Sequence, residues 1–136
     1  MKVFLDGPRD NSKWLDKIIP LLRCSYVEPK GDGFNPENQI KEKEECDIHL
    51  YVVSARQLHF HLIAQLIDSA SESSVFCSNP KYVIYCLLYE DDGVGFSRRQ
   101  IRSLNIVRDI FKKQSAGCIF CTSLEETANL INTLNN

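Results

Sequence analysis

Short apolar runs alternate along this chain with stretches whose apolar residues recur every three or four positions. The first kind of run reads as a buried β-strand, the second as a helix with one face on a core. Val3 to Leu5 is the first strand, closed by the turn-forming Asp6-Gly7-Pro8. Trp14, Leu15, Ile18, Ile19 and Leu22 then fall at helical spacing, with Asn11 or Ser12 placed to cap the helix and Pro20 to kink or end it. Tyr26-Val27 is a short second strand, Glu28 to Gln39 an extended loop bearing proline and glycine, and Lys41 to Glu45 a charged helical turn. Ile48 to Val53 is the nearly continuous apolar run of a strand buried on both faces. The third helix runs from His59 to Ser71, with Ile63, Leu66, Ile67 and Ala70 as its core stripe. Tyr82 to Tyr89 is the most apolar strand and belongs at the centre of a sheet. After the acidic loop from Glu90 to Gly95, Ser97 caps a helix carrying Ile101, Leu104, Val107 and Phe111. Cys118 to Cys121 is the last strand, and Ser123-Leu124-Glu125-Glu126 fits the capping box that opens a final helix.

Strict alternation of strands and helices is the signature of a parallel sheet covered on both sides. It predicts one α/β domain over residues 1–136, doubly wound and flavodoxin- or Rossmann-like, with five strands in the order 2-1-3-4-5 counted along the chain. Such sheets bind ligands beyond the carboxyl ends of the strands, at the switch point between strands 1 and 3. That rule nominates the loop Asp6-Gly7-Pro8-Arg9-Asp10-Asn11-Ser12 and the residues after Val53, beginning with Ser54.

Charge changes this picture little. A formal net charge of -2 offers no field to gather nucleic acid or an anionic membrane, and the balancing acids make Arg98, Arg99 and Arg102 read as a solvated helix face. No apolar stretch approaches the ~20 residues of a membrane span, and the apolar start at Met1 to Leu5 is far shorter than a signal peptide needs, so the expected address is the cytoplasm. Six cysteines then read as reduced thiols. Cys118 and Cys121, three apart on a strand, point to opposite faces and so belong to two core layers, not to a redox or zinc pair. His49, inside the third strand, reads as a satisfied core histidine, whereas His61 at the start of the third helix falls on the ligand side. The histidines and cysteines do not supply a metal site's close spacing, and no cofactor is expected.

Certain residues carry a resemblance. Lys2-Val3-Phe4-Leu5-Asp6-Gly7, Ser12-Lys13-Trp14 and Ile19-Pro20-Leu21-Leu22 resemble the opening of the nucleoside 2-deoxyribosyltransferase-like proteins. The likeness continues through Glu45-Cys46-Asp47-Ile48, Leu50-Tyr51-Val52-Val53, Phe60, Ile63-Ala64 and Asp68, covering residues 1 to 70, and beyond them rests on architecture alone. In that family a glutamate on the helix after the third strand attacks the anomeric carbon of a nucleoside and expels the base, work that needs an ionised carboxylate. Here Gln65 stands at that position. Its amide keeps the shape of glutamate but is a poor nucleophile.

The resemblance implies a nucleoside- or nucleotide-binding protein, forming a homo-oligomer, with weak or no base transfer. Asp6, Gly7, Asn11 and Ser54 would line the pocket, Asp32 with Phe34 would receive sugar or base from the second-strand loop, and His61 and Gln65 would stand at the reaction centre. Two other readings stay open. One is an active deoxyribosyltransferase or nucleotide N-glycoside hydrolase drawing on a displaced carboxylate, Asp68 or Glu72. The other is a non-catalytic interaction or oligomerisation module.

Overall fold

The structure is a computed structural model; it describes residues 1–28, 36–73 and 80–136, with 36–39 described by their backbone alone. The strands are β1 (Lys2–Asp6), β2 (Ser25–Val27), β3 (Ile48–Val53), β4 (Tyr82–Leu87), β5 (Glu90–Asp91), β6 (Val94–Gly95) and β7 (Cys118–Cys121). The helices are α1 (Trp14–Ile18), α2 (Pro36–Glu44), α3 (Phe60–Glu72), α4 (Arg98–Lys112) and α5 (Leu124–Asn135). Five strands form one all-parallel sheet, β2-β1-β3-β4-β7, which is the expected 2-1-3-4-5 order once the small antiparallel hairpin β5–β6 is set aside. The register brings Leu5 beside Leu50, Leu50 beside Ile84 and Ile84 beside Ile119, so one apolar row crosses four strands.

Side chains alternate across each strand and divide the core into two layers. Val3, Leu5, Leu50, Val52, Cys86 and Cys121 pack on one side under Trp14 and Ile18 of α1 and Leu124, Ala128 and Ile131 of α5. Tyr51, Val53, Val83, Tyr85 and Leu87 pack on the other under Leu62, Leu66 and Ala70 of α3 and Leu104 and Phe111 of α4, with Cys118 against the same layer. Cys118 and Cys121 therefore do lie on opposite faces. Burial raises both thiols above the ordinary cysteine value.

Four expectations are corrected. The loop expected from Glu28 to Gln39 ends early, because α2 starts at Pro36; proline is favoured in the first helical turn, where its missing N–H leaves no bond unmade. The fourth strand stops at Leu87 instead of Tyr89, and the chain turns into the β5–β6 hairpin through Asp92 and Gly93 at φ 48° and 87°, the two left-handed residues of a tight turn. Neither Asn11 nor Ser12 is the N-cap of α1: Lys13 holds that place, and the Ser12 hydroxyl accepts only a long 3.4 Å bond from Trp14 N–H. The α5 capping box is half formed, since Ser123 Oγ accepts from Glu126 N–H at 3.1 Å but Glu126 reaches Thr122 N–H, not that of Ser123. At α4 the box is complete, with Gln100 as the reciprocal partner of Ser97. Pro20 sits in a 3-10 turn, Ile19–Leu21, that follows the end of α1.

Candidate functional site

The alternation that builds the core also sets out a polar face. On β1, Phe4 and Asp6 point away from the Val3–Leu5 layer, and on β3 His49 and Tyr51 point the same way. This patch lies beneath α2 and α3. Lys43, in the last turn of α2, lays its ammonium over the Tyr51 ring at 5.3 Å and the Phe4 ring at 5.9 Å. Its carbonyl faces His49 Nε2 at 2.8 Å, His49 Nδ1 meets Ser69 Oγ at 3.3 Å, and Ser69 Oγ meets the Tyr51 hydroxyl at 2.6 Å. The result is a continuous polar chain from α2 through the sheet to α3. It satisfies His49 as a core residue, and burial lowers that imidazole to about 4.

Asp6 stands at the carboxyl end of β1, buried, with Oδ1 accepting from Gly7 N–H at 2.9 Å. Burial raises its carboxyl above the ordinary aspartate value, opposed by that N–H and by the charges of Arg9, Lys43 and His61. Burial likewise lowers Lys43, against the pull of Asp6, Asp68 and Glu72. His61, Gln65, Asp68 and Glu72 recur at four, three and four residues, which is one stripe of a helix. Ser69, four residues on from Gln65, bonds His49 and Tyr51 beneath Lys43, which puts the adjoining stripe on the Lys43 side of α3. Gln65 is half-buried in the middle of it, while His61 and Asp68 are exposed. His61 stacks on His59 with ring centroids 5.0 Å apart.

The remaining predicted residues fall in two places. Gly7 is buried where an added Cβ would come within 2.9 Å of the Trp14 ring, so its bareness serves packing. The Trp14 Nε1–H donates to Pro8 carbonyl at 2.6 Å, and Arg9 and Asp10 N–H donate to Gln57 Oε1 at 2.6 and 3.0 Å. Both contacts fix the loop. Asn11, at φ 61°, opens on a separate cleft of about 750 Å³ shared with Ser12, Lys13, Lys17, Arg56 and Asp92. Ser54 is fully buried and donates to Asp91 Oδ2 at 2.6 Å, so its hydroxyl is engaged inside the protein. Asp32 and Phe34 lie outside the described residues.

Two residues that sequence reasoning missed complete the arrangement. Lys43 belongs to what the sequence reads as a charged helical turn, and in the structure its ammonium lies over two aromatic rings. Asp91 belongs to the acidic loop of the sequence reading, yet it is buried and accepts from Ser12 Oγ as well as Ser54 Oγ, each at 2.6 Å. Arg56 reinforces it by donating from Nε to Asp91 carbonyl at 2.7 Å and from Nη2 to Asp92 carbonyl at 2.6 Å. The Asp92-Gly93 pair was the available signal for this hairpin.

Chemically, the face combines a buried carboxylate, a half-buried ammonium, an imidazole and an amide beside two aromatic rings. Both rings are buried, and the exposed part of the face is polar, formed by His61 and Asp68 beside the half-buried Gln65. Among the described residues no set of three or more His, Cys, Asp or Glu side chains is placed to hold a metal ion, and no helix is long and apolar enough to cross a membrane. Comparison with protein families, curated proteins and solved structures finds no match.

Proposed function

We propose that the chain binds a nucleoside or nucleotide on the face between α2 and α3, as a relative of the nucleoside 2-deoxyribosyltransferases in which Gln65 has replaced the attacking glutamate. The observation that carries this reading is the stripe His61, Gln65, Asp68 on the flank of α3 that Ser69 fastens beneath Lys43 through His49 and Tyr51. That stripe lies by the β1–β3 switch point of the sheet, where ligands of doubly wound folds sit. Asp6 is suited to a sugar hydroxyl, because a hydrogen-bond donor from the ligand would relieve a carboxylate held out of water. The Gln65 amide can hold a ligand but does not form a glycosyl bond, so base transfer is weak or absent.

The test is to incubate the protein with a 2′-deoxynucleoside and a free acceptor base and follow base release. We expect none above background in the wild-type chain, and a rise of at least tenfold in Gln65→Glu. A nucleoside and nucleotide panel should raise the melting temperature of the wild-type protein. No stabilisation by any compound at millimolar concentration, with no gain in Gln65→Glu, overturns the reading. A second reading, catalysis by a displaced carboxylate, is favoured by one observation: Asp68 lies three residues from Gln65 on the same stripe and is exposed. It requires wild-type base release that is lost in Asp68→Asn.

A further inference from the structure

The opposite flank of α3 meets α4 along an apolar groove of about 660 Å³. Leu58, Ile63, Ile67, Leu104 and Val107 line it, and Phe60 stands at its edge with 91% of its surface exposed. Ile106 and Ile110, 60% and 47% exposed, lie three and seven residues beyond the groove-lining Ser103 and continue the apolar strip along α4. A single exposed apolar side chain is ordinary; a contiguous set beside an open groove marks a contact surface.

The charge around the groove decides what fits it. α4 carries five basic residues, Arg98, Arg99, Arg102, Arg108 and Lys112, against one acid, Asp109, in a chain whose net charge is -2. Arg108 pairs with Asp109, whereas Arg98, Arg99 and Arg102 are exposed and form no ion pair among the described residues. Arg99 lines the groove itself. A second copy related by a twofold axis would present the same patch and bring two arginine rims together, an arrangement opposed by like-charge repulsion. An acidic partner meets no such penalty. A channel between two helices suits a third helix, read by apolar anchors spaced three and four residues apart.

We infer that the α3–α4 groove docks an amphipathic helical segment of another protein, one whose apolar stripe is flanked by glutamate or aspartate. Phe60, Ile63, Val107 and Ile106 hold the stripe and Arg99 and Arg102 meet the acids. This surface is distinct from the α2–α3 face and does not depend on the nucleoside reading.

Fluorescence anisotropy with two labelled synthetic helices tests it, using the full chain. Both peptides carry leucine at i, i+3, i+4 and i+7; one has glutamate and the other lysine at the flanking positions. The glutamate peptide should bind at least about tenfold tighter, with a preference that shrinks as salt rises. Phe60→Ala should weaken it about tenfold, and the double change Arg99→Glu, Arg102→Glu should reverse the preference between peptides. All three side chains are exposed, and an unchanged thermal melt verifies that each variant folds. The inference is overturned if neither peptide binds at millimolar concentration, if both bind equally, or if Phe60→Ala changes nothing. It is equally overturned if the chain sediments as a dimer that Phe60→Ala dissociates, since the occupant is then a second copy.

Discussion

Asp6 is a carboxylate kept almost out of water at the end of a central strand, and its ionised form is disfavoured there by burial more than its neighbours restore. A folded-state value above the unfolded one means the native protein holds the Asp6 proton more tightly, so ionisation at neutral pH subtracts from stability. Asp6→Asn removes the charge and keeps an oxygen for the Gly7 N–H. The variant should be more stable than wild type in urea at pH 7, while the ligand-induced rise in melting temperature is lost. A loss of stability instead would mean that the carboxylate holds the fold together. Gain on one measure and loss on the other is the signature of a group retained for binding. Asp6 and His61 were placed in sequence by their positions at a strand end and a helix start, and Gln65 by the family resemblance alone. Ser54 was nominated by the same rule, but its hydroxyl points to a carboxylate 37 residues away, a pairing that no local pattern encodes.

Helix α4 has a complete reciprocal cap: Ser97 Oγ accepts from Gln100 N–H at 3.2 Å and Gln100 Oε1 accepts from Ser97 N–H at 2.9 Å. Ser97→Ala should cost about 1 kcal/mol in chemical denaturation, and Ser97→Gly only a few tenths. If alanine is harmless, water replaces the cap and packing against the sheet alone holds the helix start. This cap was readable from Ser97 before the helical repeat, as were the central strands from their unbroken apolar runs. The limits of α2 were not. Its sequence, Pro36 to Glu44, has almost no apolar stripe, so the periodicity that revealed the other helices was missing. The candidate site was accordingly half legible: the sheet and α3 contributions were, the α2 contribution was not.

Stability against pH follows from the polar chain beneath α2 and α3. His49 is buried and its imidazole is lowered from 6.5 to about 4, chiefly by burial. A base with a depressed native value is neutral in the fold and takes up a proton on unfolding. Stability from this group is therefore full above pH 6.5, falls as pH drops from 6.5 to about 4, and loses up to about 3 kcal/mol over that window. Asp6 acts with the opposite sign, adding stability as pH falls through its raised value. Urea midpoints measured from pH 7 to pH 4 should show a slope that flattens in His49→Gln. An equal slope in both proteins would assign the acid sensitivity elsewhere.

The carboxylate of Asp91 joins three stretches of chain far apart in sequence: Ser12 after β1, Ser54 after β3, and the hairpin after β4. One acid thus acts as a knot tying the strand-end loops on that side. Amide protons in these loops should exchange with solvent as a single cooperative unit, because no one loop can lift without stripping Asp91 of a partner it needs in the interior. The β1, β3 and β4 loops should therefore breathe together, as one unit.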